Sequence, residues 1–233
     1  MSDSTSRNEP PLNTGGGSIA SLPGRILLKT VVYDRCYPQY RGKRLLSQLS
    51  IWVLLASAFV LIGTHNWILA ALGVAILSMA LAWWWSGVQR TQLKSHLYHG
   101  CANPAVVVST QPYLIAVFAD ITATPGVKFP AVKVLPAPLD LVQGRSFAVG
   151  DHIPTVSTYQ GPATEGRWTD FYPIPACCAT NETRALDRLE NTLHYEEEGW
   201  SALENALIHV PRPYAPGLYP MPVSVFLKNH SAA

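Results

Sequence analysis

His96, His99 and Cys101 are of types, and at a spacing, that could do chemistry. The two histidines stand three apart at the end of a helical stretch and share a face, and Cys101 is near enough to add a thiolate. Zinc accepts such ligands in tetrahedral geometry, but the set lacks a clear fourth. Histidine also suits a helix C-terminus, so a structural role competes with the metal and no cofactor is expected. Cys177 and Cys178 precede a helix start, where a thiol pKa can fall and create a nucleophile, with Asp170, His152 or His194 as candidate partners. A buried structural cysteine is the commoner outcome. Glu196, Glu197 and Glu198 are consecutive acids that suit a solvated helix start better than an acid–base pair. Trp168, Phe171, Tyr172, Pro173 and Pro175 mix aromatics with prolines, as peptide-binding grooves do, and would equally serve to pack a domain.

The largest element that must position these groups is the stretch from Leu45 to Gln89, which holds no Asp, Glu, Lys or Arg. A hydrocarbon core of about 30 Å needs roughly 20 apolar residues per helical span, so the run holds two. We read a membrane hairpin over about 45–63 and 67–88, turning at Thr64, His65 and Asn66. Trp67 anchors the far interface and Trp83, Trp84 and Trp85 the near one; Trp52 fits this belt less well. His65, at the turn, reads as a solvated loop residue. Arg41, Lys43 and Arg44 precede the run, Arg90 and Lys94 follow it, and the turn carries neither Lys nor Arg. The positive-inside rule then places both termini in the cytoplasm, a multi-pass arrangement in the cell membrane. Ala71, Ala75, Ser78, Ala82 and Ser86 form a small-residue face on the second span, for packing on the first or for a homodimer seam.

The chain has 233 residues and a net charge of +2, which does not point to nucleic acid as a partner. The four cysteines are expected as thiols if the domain is cytoplasmic. The apolar run begins too far from Met1 for a signal peptide. Residues 1–24 read as a disordered tail rich in Ser, Pro, Asn and Gly. Residues 25–44 form a juxtamembrane segment; within it the β-branched and aromatic residues of Arg25–Tyr40 favour a strand or extended segment that joins the later domain, with an amphipathic membrane-surface segment as the alternative. A helix continues from Arg90 to about His99 and stops at Gly100. Short strands follow at Ala105–Ser109, Tyr113–Ala119, Ala131–Leu135 and Ile153–Tyr159, and Gly150-Asp151 forms a tight turn. Arg167–Pro175 reads as an edge segment. Helices are expected from Thr180 or Asn181 to about His194 and over Glu197–His209, the latter with Trp200, Leu203, Ala206 and Leu207 on one side. Residues 211–233 read as a Pro-rich tail, with Val223–Leu227 docking as a last strand.

The fold expected is thus a membrane-anchored α+β protein. A two-helix transmembrane hairpin precedes a cytoplasmic domain over 90–210, a small antiparallel β sheet or barrel with two C-terminal helices. Several stretches within 90–210 carry a family resemblance: Leu97-Tyr98-His99-Gly100 with Asn103-Pro104-Ala105-Val106-Val107, Val149-Gly150-Asp151-His152-Ile153-Pro154, Trp168-Thr169-Asp170-Phe171-Tyr172-Pro173-Ile174-Pro175, the helix Thr180–Asn191, and Trp200 with Leu203. In these the chain resembles an uncharacterised family of bacterial membrane proteins with two N-terminal membrane helices and a small mixed β domain. The N-terminal extension and the Pro-rich tail depart from it. The family has no assigned activity, so the resemblance implies architecture and transfers no catalytic residue.

With an anchor and no convincing polar site, the chain reads as a membrane-tethered interaction or scaffold module. Its partners are the lipid bilayer and a protein, or a second copy of itself. The alternative is a membrane-bound thiol- or metal-dependent hydrolase using Cys177, Cys178 or the His96, His99 and Cys101 group. A channel subunit is a third reading, weakened by the uncharged spans.

Overall fold

A computed structural model of the chain describes residues 23–38, 52, 88, 90–123, 128–161, 165–195 and 199–225. The expected hairpin lies outside these residues, apart from helical Trp52 and Val88. Outside them also lie Arg41, Lys43, Arg44, Trp67, Trp83, Trp84 and Trp85, the face of Ala71, Ala75, Ser78, Ala82 and Ser86, and Glu196–Glu198. No helix among the described residues is long and apolar enough to cross a membrane.

Strand alternation sends successive side chains to opposite faces, and here both faces are covered. Six strands form one antiparallel sheet: β1 (Cys101–Thr110), β2 (Tyr113–Asp120), β3 (Pro130–Pro136), β4 (His152–Gln160), β5 (Asp170–Pro175) and β6 (Gly217–Pro220). Their order is β5-β4-β1-β2-β3-β6. On the outer face Ala102, Val106, Ala116, Phe118, Val132, Val134 and Val156 form a core with the helices. On the inner face Ala105, Val107, Ile115, Val117, Ile153, Tyr159 and Phe171 form a second core. Residues 114–120 of β2 are all buried, as a central strand covered on both sides must be.

The helices are α1 (Thr30–Cys36), α2 (residues 90–99), α3 (Thr183–Tyr195) and α4 (Trp200–Leu207). Leu186, Leu189 and Leu193 recur at steps of three and four, so α3 lays one apolar stripe on the outer core. Trp200, Leu203 and Ala206 do the same for α4. Ahead of α3, the Thr180 hydroxyl accepts the Glu182 N–H at 3.2 Å.

The sheet curls into a half-barrel. Past the end of β2, Ala123 N–H donates to Gly166 C=O (2.7 Å) and Trp168 N–H to Ile121 C=O (2.8 Å). Residues 121–123 thereby meet the lead-in to β5, although β1 and β4 separate β2 from β5 in the sheet. Buried Asp120 holds that turn: its Oδ1 accepts the backbone N–H of Thr122 (3.0 Å) and Phe129 (3.1 Å). Lys133, inward on β3, donates through Nζ to Asp170 Oδ1 and to Phe171 C=O, each at 2.7 Å. β5 is an edge strand of the sheet.

Two expectations are corrected. Residues 25–38 do not form a strand: 24–29 have no regular secondary structure, with Arg25 at φ 49°, and 30–36 are helical. Tyr33 and Cys36, three apart, are buried on this helix, and that packing overrides the β preference of Val31-Val32-Tyr33. Among the described residues the last strand is Gly217–Pro220, which pairs with the open edge of β3; of the stretch expected as a strand, 223–225 form a 3-10 turn that buries Val225, and 226–227 lie outside the described residues. Leu218 packs on the inner core and Tyr219 on the outer, as strand alternation demands. Gly100 ends α2 as expected, but for a different reason. A Cβ there would sit 2.3 Å from His96 C=O and 2.8 Å from Ser157 C=O, so close backbone approach excludes a side chain.

Replacing Lys133 with Met strips the ammonium from a half-buried carboxylate and an edge carbonyl. We expect a loss of about 2–3 kcal/mol in chemical denaturation. The Lys133→Met/Asp170→Leu double variant should lose less than the sum of the single changes; additivity would show that the pair does not close the curl.

Candidate functional site

The thiols are the most reactive groups that the fold gathers. All four cysteines lie in the inner core, with exposures of 0–5%, and no disulfide joins them. Cys36 arrives on α1, and Cys177 and Cys178 on the 3-10 turn Ala176–Cys178 that follows β5. A hydrogen bond from Cys178 draws the Cys36 thiol below its ordinary pKa. Hydrogen bonds with Cys177 and Cys36, then burial, push the Cys178 thiol far up. Tyr37 closes over the group, and burial raises its phenol pKa.

The partners considered for Cys177 and Cys178 are committed elsewhere. Asp170 holds Lys133 and accepts the Phe171 N–H at 2.8 Å. His152 alternates onto the outer side, stacked on Trp200 at 4.6 Å, with Nε2 3.6 Å from Glu204. His194 is exposed in the last turn of α3. The thiols therefore have the chemistry of protected core residues, and none of the three candidate partners stands beside them as a base.

His96, His99 and Cys101 are also separated in role. His96 Nε2 lies 3.1 Å from Val156 C=O, and Nδ1 3.3 Å from the Thr158 hydroxyl. The carbonyl takes the proton of Nε2, and Nδ1 meets the Thr158 hydroxyl, which can donate or accept. Desolvation lowers its pKa. His99 is exposed and Cys101 faces the inner core. Among the described residues no three His, Cys, Asp or Glu side chains come together in a way that could hold a metal.

Within the aromatic segment, Phe171, Pro173 and Pro175 are buried in the sheet. Trp168 packs on the inner core, and Tyr172 is 47% exposed, under the Lys133 ammonium at 4.6 Å. Of these five, Tyr172 is the one left exposed to a partner. Arg90 is exposed on α2.

Sequence reasoning missed Asp120 and Lys133. Asp-x-Thr at a strand end, and a lysine between Val132 and Val134, were the available signals. It also missed how the two flanks of the apolar run meet. Gly24 N–H donates to Gly100 C=O (2.7 Å), Arg25 N–H to Tyr98 C=O (3.1 Å) and Ile26 N–H to Leu97 C=O (2.9 Å). The segment before the run is thus strapped to the end of α2, the helix that follows it.

A histidine whose pKa is lower folded than free stabilises the fold fully above the free value of 6.5 and loses that contribution as pH falls below it. We expect the stability of the wild type to drop as pH falls below about 6.5, by at most about 1.4 kcal/mol per pH unit for this one proton. His96→Gln should remove that part of the slope; an unchanged slope would assign it to other groups. The burial of the thiols is tested separately. A thiol-reactive disulfide reagent should titrate none of the four in the folded protein and all four in guanidinium.

A crystal structure from Corynebacterium diphtheriae, described as that of a candidate membrane protein, is similar at 20% identity. The match covers 52% of this chain and 99% of that one, with a TM-score of 0.43, and carries no argument about function. No curated protein matches significantly. Residues 89–210 match the model of a family described as "Protein of unknown function (DUF3239)". That match spans more than half of the chain, covers α2 to α4 with β1–β5, and identifies this protein as a member of the DUF3239 family.

Proposed function

We propose that this protein is a membrane-tethered interaction module: residues 45–89 cross the cell membrane twice, and the curled β domain sits on the cytoplasmic side. The observation that carries the reading is the strap. Residues 24–26 bond to the carbonyls of residues 97–100, so the chain enters and leaves the apolar run from one packed body. Both flanks then lie on the same side of the bilayer, and the number of crossings is even. The run is long enough for two spans of roughly 20 residues and too short for four. Lys and Arg on both flanks make that side the cytoplasm.

The interaction role rests on what the domain offers. Its thiols are shut in the core, its central histidine is used in packing, and Tyr172 stands exposed on an edge strand. Edge strands with an exposed aromatic suit peptide docking. The small face of Ala71, Ala75, Ser78, Ala82 and Ser86 offers a second copy a close approach within the bilayer.

A cysteine at His65 should react with a membrane-impermeant maleimide in intact cells, while tags at both termini become accessible only after permeabilisation. Labelling of either tag from outside would overturn the topology. In the same membranes, Tyr172→Ala should remove a crosslinked protein partner without lowering thermal stability; an unchanged crosslinking pattern would count against this edge.

A further inference from the structure

We propose that the exposed side of the strap and α1, together with the adjoining flank of α3, docks on anionic lipid headgroups and holds the domain flat against the membrane. The inference rests on the membrane reading above and names the surface that meets the bilayer. Along the strap, Gly24 and Ile26 face inward while Arg25, Leu27 and Lys29 face outward. Val31 continues that side into α1, and Arg35, one turn later, lies on the same face. Leu27 and Val31 are 61% and 73% exposed. Soluble surfaces scatter such residues singly; here they alternate with cations, as in segments that lie in an interface.

The α3 flank extends the positive surface. Arg188 donates to Arg25 C=O at 2.9 Å, which fixes α3 beside the strap. Arg184, Arg188, Asn191 and Thr192, with Asp187, share the open outer face of α3. At about 100° per residue, Arg184, Arg188 and Thr192 lie toward one flank of α3, and Asp187 and Glu190 toward the other. Arg188 marks the strap flank as the basic one. Asp34, Glu182, Asp187 and Glu190 are the acids within two residues of this surface's cations, Arg25, Lys29, Arg35, Arg184 and Arg188.

Chain connectivity makes the membrane the occupant. The strap bonds to residues 97–100, and the apolar run ends at residue 89. At 1.5 Å per helical residue, the strap stands only about 12–16 Å from the end of the run. On the other side, Arg41, Lys43 and Arg44 lead from the end of α1 directly into the run. Juxtamembrane cations of this kind are drawn to the anionic cytoplasmic leaflet.

The full chain reconstituted in nanodiscs tests this, with a nitroxide on a Val31→Cys variant and collision accessibility to oxygen and to a nickel chelate as the readout. In discs containing anionic phospholipid, the label should shift from nickel-accessible to oxygen-accessible. In purely zwitterionic discs it should remain nickel-accessible. A label at Val149 should stay nickel-accessible in both, because that loop meets Val107 near the far end of β1, about 20 Å from Gly100. The Arg25→Glu/Lys29→Glu/Arg184→Glu variant leaves Arg188 bonded to the strap and should return the Val31 label to water. A nickel-accessible label in anionic discs that retain the chain would overturn the docking and leave the anchor standing. Equal immersion in zwitterionic discs would overturn the assignment to anionic lipid. A chain that does not stay with the discs would overturn the anchor, and the docking with it.

Discussion

The Lys133 ammonium is the point on which the curl of the sheet depends. It leaves β3 on the inner face, crosses the mouth of the half-barrel, and meets the Asp170 carboxylate and the Phe171 carbonyl on β5. Three strands separate β3 from β5 in the sheet order, so this contact can form only if the sheet bends on itself. Lys133 is placed inward because it alternates with Val132 and Val134, which belong to the outer core. The same bend carries residues 121–123 onto 166–168, where Asp120 gives the loop its backbone acceptor.

Curling divides the protein into two cores with different tenants. The outer one takes the leucine stripes of α3 and α4, and the inner one takes Tyr159, Phe171 and every cysteine of the chain. Thiols that looked reactive from their place before a helix are therefore buried core groups. His96 shows the same outcome: its ring joins α2 to β4 through a carbonyl and a hydroxyl, and burial lowers its pKa. Chemistry-bearing residue types serve here as packing, which directs attention to the surface of the domain.

That surface is organised by the meeting of residues 24–26 with residues 97–100. A β1 start that admits no side chain at Gly100, and a strap that admits none at Gly24 against Val156, let the two backbones come together. Through this contact the flanks of the apolar run share one anchor point, and basic residues gather around it. The proposed membrane topology and the proposed docking surface both rest on that geometry.

The sequence by itself determined the elements governed by local rules. Alternating apolar runs set β1 to β4 to within a few residues, the three-and-four spacing of apolar residues set α3 and α4, Gly150-Asp151 made a turn, and the uncharged stretch 45–89 stood out by length alone. Tertiary structure alone decided what depended on distant partners. Residues 30–36 became helical because Tyr33 and Cys36 found a core, and Gly217–Pro220 became a strand because β3 had an open edge. The thiols gathered because α1 and the turn after β5 pack on one face. Lys133 reached Asp170 because the sheet curled. Periodicity reports which face of an element is apolar; it does not report what lies across from that face, and every such outcome was settled by contact between segments far apart in the chain.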